Sequence, residues 1–165
     1  MALPRLDAID LKILAEVQRE GRITKLALAD RVGLSATPCW NRLKRLEDAG
    51  LISGYHARLD AKAFGPIAVV FMEVTLANHR QIDFDRFDKA VRAVPEIVGC
   101  WSLGGGIDYL VKVVARDIDT YQRLVDRLLE RDIGIERYFT YIVTKAVKDA
   151  ATLPVDRLLE ADDSG

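Results

Sequence analysis

Reactive side chains are scarce in this sequence. It has only two histidines and two cysteines in 165 residues. His56 and His79 sit in no motif, and Cys39 and Cys100 follow no metal or redox spacing. No nucleophile elbow, phosphate loop or His-Glu-x-x-His pattern occurs, and the one glycine run precedes a strand pattern, so it is no dinucleotide fingerprint. These absences point away from an enzyme and imply no cofactor and no metal. Each cysteine reads as a small buried apolar residue. No stretch approaches the ~20 apolar residues of a membrane span. The opening Met-Ala-Leu-Pro-Arg-Leu-Asp lacks the apolar core of a signal peptide. The expectation is a cytoplasmic protein in a reducing compartment, with no membrane partner.

Apolar residues are plentiful. They make up 50% of the chain, enough for a core without staples. Net charge is −1 but unevenly spread. Residues 1–60 hold ten Lys/Arg against eight Asp/Glu, a net of +2; residues 61–165 hold fourteen against seventeen, a net of −3. That is the direction a basic head and an acidic partner domain give.

The head reads as three helices. Asp7 caps a helix with Ile9, Ile13, Leu14 and Val17 on one face, and Gly21 ends it where a left-handed residue is often needed. Thr24 caps a second helix through Leu26, Leu28, Ala29 and Val32, stopped by Gly33. Ser35 caps a third, with Cys39, Leu43 and Leu46 on its buried side and Gly50 at its end. The segment Leu28-Ala29-Asp30-Arg31-Val32-Gly33-Leu34-Ser35 joins two helices with almost no linker, which forces a steep crossing and exposes the second helix. Such a helix enters the DNA major groove. Its outer face carries Ser35, Thr37, Trp40, Asn41, Lys44 and Arg45, with Pro38 and Arg42 beside them. These are the donors, acceptors and cations that base edges and phosphates require. The competing reading is a bundle whose polar face is merely solvated. Against it, the helix starts with Ser, Thr and Pro, not the acids a solvated start favours. Residues Leu51–Leu59 read as a short extended segment, a candidate β wing with His56 and Arg58 near phosphate. For His56 an exposed strand position is the competing reading.

A Gly65-Pro66 break marks a hinge over 61–66. Beyond it the period alternates: strand Ile67–Leu76, helix Ile82–Val94, strand Ile97–Leu103, a turn at Gly104-Gly105-Gly106, strand Tyr109–Ala115, helix Thr120–Leu129 and strand Ile135–Thr144. The order βαββαβ gives one antiparallel sheet with two helices on one face. The first strand has few polar positions, so a second copy is expected to cover the other face, making a homodimer. The fold class expected is α+β: a winged helix-turn-helix domain (1–60), the hinge, a ferredoxin-like βαββαβ sandwich (67–146) and a tail (147–165). The tail is expected to hold a short helix over Val155–Leu159 and to end in disorder.

Taken together these segments resemble the Lrp/AsnC family of bacterial transcriptional regulators over about residues 5–150. The resemblance rests on Leu6-Asp7-x-x-Asp10 with Ile13-Leu14, Gly21-Arg22-Ile23-Thr24, Leu28-Ala29-x-x-Val32-Gly33-Leu34-Ser35-x-Thr37-Pro38-Cys39, Arg42-x-x-x-Leu46 and Gly50-Leu51-Ile52. Asp108-Tyr109 and Thr140–Thr144 extend it into the second domain. It implies an amino-acid-responsive regulator of transcription that binds double-stranded DNA. It also implies a RAM/ACT-like second domain that dimerises, assembles further into tetramers or octamers, and holds its effector near the loop joining the central strands. Here that loop has Gly106 where the family's Gly-Asp-x-Asp-Tyr pattern has its first acid. Its candidate roles are a backbone nest at Gly104, Gly105 and Gly106 for a carboxylate, with Asp108 facing an ammonium. The competing reading is a tight turn that Asp108 caps locally. Trp101, Tyr138, Thr140 and Thr144 complete the candidate effector set, with packing in a dimer interface as the competing role for Trp101 and Tyr138. The triple glycine and Ile133–Tyr138 resemble a subgroup tied to compatible solutes such as ectoine. An architectural DNA-binding protein without an effector is the alternative function.

Overall fold

The computed structural model describes residues 5–149 and 152–158, and the expected disorder of the last residues falls outside them. The chain forms two compact units. Asp60–Lys148 make one; the described residues up to Leu59, with Asp149 and 152–158, make the other.

Helices α1 (Ala8–Arg19), α2 (Lys25–Val32) and α3 (Ala36–Asp48) build the first unit. Asp7 opens α1 by accepting the N–H groups of Ile9 and Asp10 at 3.0 and 2.9 Å, and Asp10 accepts the Asp7 N–H at 3.1 Å. This is a capping box built from two aspartates. Thr24 accepts from the Ala27 N–H at 3.2 Å to open α2. Gly33 closes α2 at φ 75°, and the Leu34 N–H returns to the Ala29 carbonyl at 2.9 Å. Gly50 does the same for α3 at φ 73°, with Leu51 N–H on the Leu46 carbonyl at 3.1 Å. The apolar stripes Ile13/Leu14/Val17, Leu28/Ala29/Val32 and Cys39/Leu43/Leu46 close one core.

Two expectations need correction here. Gly21 does not take a positive φ. The Tyr55 ring lies 3.5 Å from where its Cβ would stand, an ordinary contact distance that leaves room for a side chain. The stretch from Leu51 to Asp60 holds no strand, so the wing is an irregular extended segment, pinned where the Tyr55 hydroxyl donates to Glu47 at 2.7 Å. The short helix expected in the tail is present. A turn of helix, α6 (Val155–Leu158), packs against the first unit through Val155. There Leu153 and Gln18 exchange hydrogen bonds of 2.8 and 3.3 Å.

After a 3-10 turn at Ala61–Phe64, the second unit runs β1 (Ala68–Leu76), α4 (Gln81–Arg92), β2 (Ile97–Ser102), β3 (Tyr109–Ala115), α5 (Ile118–Glu130) and β4 (Ile135–Ile142). All pairings are antiparallel in the order β2-β3-β1-β4. This is the ferredoxin-like α+β sandwich that βαββαβ predicts. Alternate residues of β1 (Val70, Met72, Val74, Leu76) and β3 (Tyr109, Val111, Val113, Ala115) face α4 and α5 and form a second core with Phe87, Val91, Leu124 and Leu128. Cys100 packs at its edge, and burial pushes its thiol up to about 11, so it stays a thiol at neutral pH. The intervening sheet residues face away from both helices. There Phe71, Glu73, Leu110 and Lys112 are half-buried, while Trp101, Phe139 and Tyr141 are about half exposed.

Candidate nucleic-acid interface and ligand loop

On α3 the core residues Cys39, Leu43 and Leu46 fix which side turns outward. Thr37, Pro38, Asn41 and Lys44 are exposed on the side opposite them. Ser35 stands at the N-cap with extended backbone, yet its hydroxyl makes no capping bond. Among the described residues, no hydrogen bond or ion pair occupies the side chains of Ser35, Thr37, Asn41 or Lys44. A helix start with a free hydroxyl and unengaged N–H groups is a ready phosphate contact. Asn41, one turn on, is of the type that pairs with adenine edges.

The other candidate residues stand apart from this stripe. Trp40 is half-buried against the core, with the Lys25 ammonium 3.4 Å from its ring centre. Its position suits packing and a cation–π contact better than readout. Arg42 turns to the start of α1, donating to Asp7 at 2.6 Å and Asp10 at 2.9 Å. Those two bonds, led by Asp7, raise its pKa further. The Asp7 carboxyl is held below its usual value by the Asp10 N–H first and Arg42 second. Arg45 joins the same cluster through Asp10 at 2.5 Å while remaining half exposed. His56 is exposed beside Gly54, and Arg58 donates to the Asp149 carbonyl at 3.2 Å. Sequence reasoning did not identify Lys25 or the acidic clamp.

In the second unit, the ends of β1, β2 and β3 meet at one rim. Gly104, Gly105 and Gly106 are exposed, and nothing stands within 4 Å of where their Cβ atoms would be. Gly105 has φ 150°, a value that favours glycine. Asp108 is engaged within the chain. Its Oδ2 accepts the Leu76 N–H at 2.7 Å, and His79 Nε2 lies 3.0 Å from Oδ1. It ties the end of β1 to the start of β3, the local-cap role. The remaining candidates do not converge. Trp101 pairs with Leu110, on the sheet face away from the helices. Tyr138 pairs with Val74 and Thr140 with Met72, on the helix face. The Thr140 hydroxyl is bonded to the Tyr121 hydroxyl at 2.7 Å. Thr144 lies exposed beyond β4. Among the described residues no group of three or more His, Cys, Asp or Glu is placed to hold a metal, and no helix is long and apolar enough to cross a membrane.

Readout by the α3 stripe carries a direct test. Asn41→Ala is expected to cost on the order of 1–3 kcal/mol of DNA affinity and to relax preference at one base position. Lys44→Ala is expected to weaken all sequences alike and flatten the salt slope by about 1. Titrations of a selected duplex at several salt concentrations check both; wild-type behaviour in the two variants means another surface reads the DNA.

Comparison with known proteins agrees with this layout. Residues 69–153 match the family model described as the Lrp/AsnC ligand binding domain, and residues 6–53 match a winged helix-turn-helix DNA-binding model. The chain is 50% identical over 155 residues to the transcriptional regulatory protein DoeX of Halomonas elongata, covering 93% of this chain and 98% of that one. It is 41% identical to the leucine-responsive regulatory protein of Haemophilus influenzae, covering 87% and 86%. A transcriptional regulator of Neisseria meningitidis, solved as its complex with L-methionine, superimposes with a TM-score of 0.88 at 34% identity, covering 94% of this chain and 100% of that one. These relatives are regulators of transcription, not enzymes.

Proposed function

The chain belongs to the Lrp/AsnC family of transcriptional regulators, and on that premise we propose that its DNA binding answers to a small amino-acid-like metabolite held by the sheet unit. The observation that carries the DNA half is the unengaged polar stripe Ser35, Thr37, Asn41 and Lys44 on a helix whose back is fully packed. The ligand half is supported by the rim where Gly104–Gly106 leave their backbone open to a carboxylate. Asp108 is already bonded to Leu76 and His79. In this reading it shapes the loop, and the ammonium partner comes from elsewhere.

A second copy completes the assembly. The sheet face bearing Phe71, Trp101, Phe139 and Tyr141 is rich in aromatic residues, with Glu73 and Lys112 among them, and the rings of Trp101, Phe139 and Tyr141 are about half exposed. Pairing that face with itself gives a two-fold dimer, with two heads to read a palindromic site. Dimers then join into tetramers or octamers at the glycine-loop rim, which places the ligand where it alters head spacing.

The test is a thermal-shift screen against L-methionine, L-leucine, the other amino acids and ectoine derivatives. An effector at a hundred times its Kd is expected to stabilise the fold by about 2.7 kcal/mol. It must also change DNA affinity by the same factor by which DNA changes effector affinity. If no compound stabilises the protein, the architectural alternative without an effector is favoured. Equal effector affinity with and without DNA sinks the coupling.

A further inference from the structure

Asp10 is the most deeply buried charged side chain described, 1% exposed, yet it lies in the first turn of a surface helix. Its carboxylate is shared by two cations of the neighbouring helix. Oδ1 accepts from Arg42 Nη1 at 2.9 Å, and Oδ2 accepts from Arg45 Nη2 at 2.5 Å. Asp7 adds a bond of 2.6 Å to Arg42. Two carboxylates therefore neutralise two guanidiniums, all within hydrogen-bond reach. Both arginines stand on α3, whose outward stripe faces DNA in the reading above, and this inference rests on that reading. Arg42 and Arg45 keep 30% and 48% of their side-chain surface exposed. Each has N–H donors beyond those it commits to the aspartates.

We propose that Asp10 is a positioning residue for DNA recognition, which anchors Arg42 and Arg45 at one end and withholds them from indiscriminate phosphate contact. The physical argument compares a tethered with a free cation. A free arginine at a helix edge swings to whatever phosphate is near, and each such contact gains affinity from counterion release regardless of sequence. A guanidinium fixed by a buried carboxylate presents its remaining donors in one direction only. It contributes where the duplex puts an acceptor in that direction and is partly neutralised everywhere else. Lys44, on the same helix, has no ion-pair partner among the described residues and supplies the sequence-independent attraction. The clamp therefore lowers non-specific binding more than specific binding, and the quantity it raises is the ratio between them.

The experiment uses the full chain and two probes: a duplex enriched by the wild-type chain from a random-sequence pool, and the unselected pool. Asp10→Asn keeps the size and an acceptor oxygen but removes the charge. Its expected signature is a salt slope on the unselected pool steeper by about 1–2 per head. At 0.1 M salt each added contact corresponds to roughly eightfold tighter binding. Affinity for the selected duplex should change less, so the specificity ratio falls. Adding Arg42→Gln and Arg45→Gln to Asp10→Asn should return the slope to the wild-type value or below. Asp7→Asn keeps a good N-cap and loosens Arg42 alone, so it carries the test with a slope change of about 1 if Asp10→Asn does not fold. Unchanged slope and ratio overturn the proposal. So does an equal fall in both affinities together with a lowered melting temperature, the mark of a purely structural role. Failure of the wild-type chain to enrich any duplex is a different result: it overturns the DNA-binding reading itself, and this inference with it.

Discussion

Leu46→Ala is expected to remove about 2–5 kcal/mol from the stability of the first unit and to abolish DNA binding at physiological temperature. Leu46 is fully buried, and its carbonyl also receives the Leu51 N–H that closes α3. Truncation leaves a cavity between the three helices at the point where the outward stripe gets its rigid backing. The two tryptophans fall one in each unit, so the consequence is separable. Urea unfolding followed by Trp40 in a Trp101→Phe background should shift to lower denaturant, while Trp101 in a Trp40→Phe background should hardly move. If the Trp40 midpoint stays put, the head core is not built as described.

Phe87→Ala is the mirror experiment and should cost the second unit about 3–5 kcal/mol. Phe87 is fully buried, its ring centre 4.4 Å from that of Tyr109. Tyr109 in turn donates its hydroxyl to Asp88 at 2.8 Å, and burial raises the pKa of that hydroxyl. Tyr109 is also the residue immediately after Asp108. Loss of the Phe87 ring therefore loosens the start of β3 and, with it, the glycine loop. The expected result is an earlier Trp101 transition, with loss of the ligand-induced stabilisation and of the self-association proposed above. A variant that keeps both its midpoint and its ligand response contradicts this arrangement.

Local signals were legible in the sequence, and long-range ones were not. The helices of the head and the βαββαβ order follow from apolar period and caps, which act over a few residues. Asp7, Thr24, Gly33 and Gly50 do what their positions imply. Arg42 and Arg45 showed only that they flank an exposed face. Their partners lie 32 to 35 residues earlier, and no spacing rule joins them. Gly21 follows α1 as Gly33 follows α2, yet only Gly33 takes a positive φ, and the residue type alone does not distinguish the two. The candidate effector residues have suitable chemistry but stand on separate strands. Whether such residues share a face depends on register, and one residue of slip reverses it. The observed pairing puts Trp101 on one side and Tyr138 with Thr140 on the other. Asp108 kept its place in the loop, but its bonds to Leu76 and His79 could not be read from the motif.

The return of residues 152–158 to the first unit has a consequence for how the protein is made. Leu153, Val155 and Leu158 line a groove of about 440 Å³ together with Leu6, Leu14, Val17 and Ile52. The three-helix head is thus completed by a segment translated after the whole sheet unit. While the chain is still on the ribosome, the three-helix head has its apolar groove open, and its last wall arrives only after β4 has emerged. A nascent chain halted after Ile142 therefore lacks the wall that Leu153, Val155 and Leu158 give this groove.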